Sequence, residues 1–186
     1  MDAETSLAGR LLLALPGIGE PEFDQAVIAM CLHDEDGALG IGIGHLIEGI
    51  GLHGLMAQLA IPPGRVPDVP LHRGGPVERQ RGFVLHSREW QGEDTIDVAG
   101  RWALTGTLDV LRALAHGTGP ARWLVALGYA GWSDGQLEAE LARPGWLAAA
   151  GDDAIVFDAA PADRWQATLK GEGIDPRLLV GAGGHA

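Results

Sequence analysis

Hydrophobic positions along the chain fall into short runs separated by turn residues, and few of the runs have the spacing of a long helix. Residues 10–15 form a solid apolar run stopped by Pro16-Gly17, which predicts a first strand. At most a helical turn is expected at residues 22–25. Residues 26–33 alternate too little for a strand with one wet face, so they predict a strand covered on both. Asp34-Glu35-Asp36-Gly37 supplies turn chemistry, and residues 38–43 return as the second arm of a hairpin. In that arm Gly40, Gly42 and Gly44 share one face, while Leu39, Ile41 and Ile43 share the other. A face without side chains admits a close neighbour, most often part of the same chain and less often a ligand.

Leu52, Leu55, Met56 and Leu59 have helical spacing and mark a short helix ended by Pro62-Pro63. After a loop reaching Pro70, residues 71–73, 82–86, 95–98 and 102–104 predict short strands. A helix begins at Thr107, sets Leu108, Leu111, Leu114 and Ala115 on one face, and closes at Gly117. The central stretch, residues 121–146, reads as a buried strand at 123–127, a turn punctuated by Gly128 and Gly131, a helix opened by Ser133, and a stop at Pro144-Gly145. Residues 147–149 and 155–157 predict late strands. Pro161, at a first helical position, opens a last helix through Trp165 and Leu169 to Gly171. The glycine-rich tail, residues 181–186, is expected to be mobile. Strands interrupted by single helices, with no repeat and no dividing linker, predict one α+β domain spanning residues 1–186.

Composition narrows the class. At 186 residues roughly 70 % of the unfolded surface can be buried, so the core needs no staple. The 29 glycines follow no low-complexity period and are read as turns, helix ends and close backbone approaches. A formal charge of −12 repels phosphates at long range, which makes direct nucleic-acid binding doubtful and points to an unidentified protein partner instead. The single Cys31 sits in the apolar run AVIAMCL and predicts a buried thiol in a reducing compartment. Asp2 and Glu4 precede Arg10, Pro16 interrupts the first apolar run, and no stretch of about 20 residues reads as a membrane span, so the cytoplasm is the expected location.

The sharpest motif is Gly131-Trp132-Ser133-Asp134-Gly135, formally the G-x-S-x-G of a nucleophile elbow. The histidine that follows it is His185, next to the chain end, and Ser133 with Gln136 also reads as a capping box. A helix start there could instead hold an anion between Tyr129 and Trp132. The densest basic cluster is Arg73, Arg79, Arg81 and Arg88, most simply a solvated face and otherwise a patch for an anion or a partner. His86 ends the strand within that cluster. The candidate ligand- or partner-binding residues are therefore Arg79, Arg81, His86, Tyr129, Trp132 and Ser133. Histidines 33, 45, 53, 72, 86 and 116 have no metal-ligand spacing, and no cofactor is expected.

Three blocks together carry a family likeness: GRLLLALPGIGEPEFDQAVIAMCLHDEDGALGI, GGPVERQRGFVLHS, and ALGYAGWSDGQLEAEL followed by GWL and FDAAPADRW. In this order they cover nearly the whole chain, and the sequence resembles the YqgE/AlgH family. The resemblance implies an α+β fold whose mixed sheet is partly curled into a small barrel with helices around it. It also implies a transcription-related regulatory role and brings no catalytic residue. Where the family's hairpin continues as Asn-Arg-Pro, this chain has Gly44-His45-Leu46. The leading expectation is a non-catalytic regulator acting through protein contacts. The alternatives are a small-anion or nucleotide binder using residues 128–133 with Arg79 or Arg81, and a serine hydrolase using Ser133.

Overall fold

The computed structural model describes residues 5–17 and 24–180; the expectations for Glu22, His185 and the 181–186 tail lie outside them. Among the described residues ten strands form one sheet: β1 (Leu11–Ala14), β2 (Val27–Asp34), β3 (Gly37–Gly42), β4 (Leu46–Gly51), β5 (Pro70–Arg73), β6 (Val77–His86), β7 (Ile96–Val98), β8 (Trp102–Thr105), β9 (Trp123–Ser133) and β10 (Trp146–Ala149). The main path runs β10-β1-β2-β3-β9-β6-β8-β7, and β4 and β5 form a ribbon attached to β9. The β5–β9 pairing is parallel and makes the sheet mixed. Curled into a half-barrel with helices around it, the sheet forms a single domain, as the resemblance implied.

The apolar runs of β1 and β2 follow from burial on both faces. Leu11, Leu13, Val27 and Ala29 point into one cluster with Leu85, Trp102, Trp165 and Leu169. Their neighbours Leu12, Ile28 and Met30 point into another with Trp132 and Leu137. The helices divide the work: α1 (Leu52–Gln58) and α2 (Asp109–His116) cover Leu71, Val84 and Val125, while α3 (Gln136–Leu141) covers Leu12 and Ile28. On the opposite face α4 (Arg164–Gly171) supplies Trp165 and Leu169; α5 (Pro176–Val180) follows it. Each fully buried leucine here contributes about 1.5–3 kcal/mol. Cys31 lies at the register break between Met30 and Leu32, and burial pushes its thiol up to about 12, so it stays protonated at neutral pH.

One element is added and two expectations change. Residues 46–51, to which no element was assigned from the sequence, form β4. The turn expected at Gly128 and Gly131 does not exist: β9 runs through both, and α3 begins only after Gly135, whose φ of 67° turns the chain. Residues 155–157 are not a strand but lie in a π-helical turn, Ala154–Asp158. The carbonyls of Ile155 and Val156 accept hydrogen bonds from the Arg164 guanidinium, so they are not free to form a ladder.

One crossing sets the geometry of the rest. β5 lies on one edge of β9 (Arg73 beside Leu127), whereas β6 lies on the other (Val77 beside Tyr129). Only Gly74-Gly75-Pro76 joins them, so the chain passes directly over β9 at Gly128. A methyl added at Gly74 would sit 2.1 Å from the Gly128 carbonyl oxygen, and one at Gly75 would sit 2.1 Å from the Tyr129 carbonyl carbon. Glycine is required because two backbones are in contact there. β3 takes over the edge that β5 leaves, pairing Gly40 with Ala130.

Candidate functional site

At the seam where β9 changes partner from β5 to β3, the structure leaves a half-open cavity of about 340 Å³. Val27, Ile28, Ile47 and Leu127 supply apolar walls, and Gly42, Gly44, Gly74 and Gly75 line it with backbone. The bare face at Gly40, Gly42 and Gly44 is filled by the chain itself: a Cβ at Gly40 would lie 2.4 Å from Ile28 Cγ2, one at Gly42 2.5 Å from the Arg73 carbonyl oxygen, and one at Gly44 3.2 Å from the Val27 amide nitrogen, although Gly42 and Gly44 also border the cavity.

Arg73 and Arg79 reach this cavity from the two strands joined by the crossing, and both are exposed. Among the described residues neither has a carboxylate partner, and no acidic residue lines the cavity. The other two arginines of the basic cluster are compensated: Arg81 pairs with Glu78 at 3.5 Å and Arg88 with Asp97 at 2.7 Å. Arg81 lies over the Phe83 ring, 4.9 Å from its centroid, in a separate cleft with Tyr129. The cluster splits because β6 breaks register between Val77 and Gly82.

The remaining sequence candidates are not brought to the cavity. His86 is fully buried, and its ring is part of a closed chain of hydrogen bonds. Its Nδ1–H faces the Ser87 carbonyl at 2.8 Å, so Nε2 accepts from the Thr105 hydroxyl at 2.8 Å, which in turn accepts from Thr95 at 2.7 Å. Burial holds the His86 pKa below its ordinary value. Trp132 is buried against α3, and its indole donates to Glu140 at 2.9 Å. Tyr129 meets Phe83 edge to face at 5.8 Å.

Ser133 is a ladder residue opposite Gly37, and its φ is not positive, so the strained elbow of a hydrolase is not formed. Only half of the expected capping box exists. The Gln136 carbonyl oxygen accepts the Ser133 N–H at 3.1 Å, but the Ser133 hydroxyl also donates to it and caps no amide.

A second polar constellation had no local signature in the sequence. Arg164, on α4, is 3 % exposed and donates to the carbonyls of Ile43, Ile155 and Val156 at 2.7–2.9 Å and to His72 Nε2 at 2.7 Å. His72 keeps its other nitrogen protonated toward the Val125 carbonyl at 3.2 Å. Burial, then the adjacent guanidinium, pull His72 down to about 4, and burial pulls Arg164 down to about 10, which leaves it cationic at neutral pH. A neutral imidazole is thus built into the fold. Because the folded pKa lies below the unfolded value of about 6.5, this stability is full above pH 6.5 and is lost as pH falls toward 4, by about 3 kcal/mol. Urea denaturation between pH 7 and 4 should show that loss, and His72→Gln should flatten it. An unchanged slope in the variant would remove His72 as its source.

Among the described residues no group of three or more His, Cys, Asp or Glu is placed to hold a metal ion, and no helix is long and apolar enough to cross a membrane. The family model described as AlgH-like matches residues 11–177, which include every strand and the cavity. The chain belongs to the AlgH-like family. It is 60 % identical to a UPF0301 protein of Rhizorhabdus wittichii, with all of both chains covered, and 58 % identical to one of Novosphingobium aromaticivorans over 97 % of each. The solution structure of the AlgH protein from Pseudomonas aeruginosa matches with a TM-score of 0.82 at 40 % identity, covering 100 % of this chain and 99 % of that one. The crystal structure of protein DIP2367 from Corynebacterium diphtheriae, 19 % identical, shares the fold with a TM-score of 0.75 over 96 % of this chain and 94 % of its own.

Proposed function

We propose that this AlgH-like protein works by binding rather than by catalysis, and that it takes an anionic group of its ligand between Arg73 and Arg79 at the mouth of the seam cavity. What supports the reading is the pair of guanidiniums without carboxylate partners beside an apolar cavity that has no acidic lining. In a chain of net charge −12, these two cations border one opening that has no acidic lining. A guanidinium fork suits carboxylate and phosphate alike. The regulatory role implied by the family resemblance fits the same picture, exerted through contact with another protein in the cytoplasm, because the acidic surface disfavours the phosphates of DNA.

Any ligand of the native state raises the melting temperature. A panel of carboxylates, phosphate esters and nucleotides should contain members that do so, and the Arg73→Gln/Arg79→Gln double variant should lose the gain while melting normally alone, both residues being exposed. A flat response across the panel, or a gain that survives the double substitution, would sink the reading.

A further inference from the structure

We infer that the seam cavity is a site for a small amphipathic anion, a carboxylate or phosphate carried on a hydrocarbon or aromatic body. This rests on the binding role proposed above and specifies the ligand's class. The walls formed by Val27, Ile28, Ile47 and Leu127 offer nothing to a sugar hydroxyl or to the edge of a nucleobase. Three backbone donors beside the cavity are engaged within the fold. The Gly42 N–H donates to the Gly74 carbonyl at 2.7 Å, that of Arg73 to His45 at 2.9 Å, and that of Gly74 to Leu127 at 2.9 Å. His45, which also borders the cavity, directs Nε2 to the Asp24 carbonyl at 2.9 Å.

The charged side chains that line the cavity are therefore Arg73 and Arg79, and the walls between them are largely apolar. A ligand with one charged end and one apolar end satisfies both regions at once. A polar body would surrender its water without gaining partners. The volume of about 340 Å³ lies near the lower end of the range of about 300–1,000 Å³ for small-molecule pockets, which favours a compact body. Large polyanions are turned away by the acidic remainder of the surface, whereas a small anion needs only the local field.

Calorimetry and methyl NMR on the full chain test the class with octanoate and phenyl phosphate. Acetate and inorganic phosphate serve as heads alone, 1-octanol as a body alone, adenosine monophosphate as a nucleotide, and anionic phosphatidylglycerol vesicles as a lipid surface. At least one of octanoate and phenyl phosphate should bind ten-fold or more tightly than its head alone and shift the methyl resonances of Val27, Ile28 and Ile47. The Arg73→Gln/Arg79→Gln variant should weaken that binding at least ten-fold. Ala26→Leu, which narrows the cavity and leaves both arginines, should weaken it too, without altering any binding of inorganic phosphate. Arginine-dependent binding of adenosine monophosphate with none of octanoate or phenyl phosphate would overturn the amphiphile and leave the binding role standing. Equal binding of octanol and octanoate would overturn it by showing the arginines idle, as would binding to the vesicles alone. No arginine-dependent binding of any anion would overturn both proposals.

Discussion

Arg164→Ala is expected to destabilise the protein by about 4 kcal/mol, lowering its melting temperature by about 8–16 °C at this chain length. The guanidinium reaches three carbonyls from three directions, and each buried carbonyl left without a donor costs about 1–3 kcal/mol. Part of that cost is returned, because Arg164 is a buried cation whose partners in the network are all neutral, and removing it ends the desolvation penalty. The balance still favours the native residue: the side chain joins α4 to the π-helical turn, to the chain just after β3, and to β5 through His72. Arg164→Lys should recover little, since an ammonium cannot copy a planar fork. The check is the urea midpoint at an unchanged slope. A loss under about 1 kcal/mol for the alanine variant would mean that water or a rearranged backbone satisfies those carbonyls.

Gly75→Ala is expected to cost about 3 kcal/mol or more, at the upper end of what overpacking does in a well-filled core. Its methyl would meet the carbonyl carbon and oxygen of Tyr129 and the amide nitrogen of Ala130 at 2.1–2.3 Å. These are backbone atoms of β9, held from the other side by β6, so no side chain can swing away to make room. Gly135→Ala is the control: its Cβ meets nothing within 4 Å, and with φ at 67° it should show only the smaller cost of a left-handed residue, about 1 kcal/mol. Comparable melting of the two variants would show that the crossing has slack and that the seam can open. That result would also change the view of the cavity, which the same crossing shapes.

The two sites differ in how far they could be read from the chain. The bare face at Gly40, Gly42 and Gly44 was visible from period-two spacing, and so was the choice between closure by the chain and access for a ligand. Closure by the chain is the outcome: Ile28 fills the space beside Gly40 and the Arg73 carbonyl fills that beside Gly42, a residue that also borders the cavity. Arg79 was singled out from local charge density, but so were Arg81 and His86, and Glu78 lies close enough in sequence to pair with either arginine. That it pairs with Arg81, in a cleft that Asp94 borders from a distant loop, depends on how β6 breaks register. The expected strand at residues 155–157 failed for a related reason. Its composition suits a strand, but a guanidinium from the following helix claims its carbonyls.

By itself, the sequence determined the apolar runs that become β1, β2 and β9, the two-faced burial of the first two, the helices at Leu52 and after Thr107, the mixed α and β class, and the family likeness. These depend on spacing within a few residues, where hydrophobic period and turn chemistry act directly on the backbone. Only the tertiary structure decided that β5 and β6 flank opposite edges of β9, that Arg73 and Arg79 both line the cavity while Arg81 does not, and that Arg164 finds His72. Strand order and register are chosen by the total burial of the whole sheet, and residues 92 positions apart, as His72 and Arg164 are, become neighbours only once that choice is made.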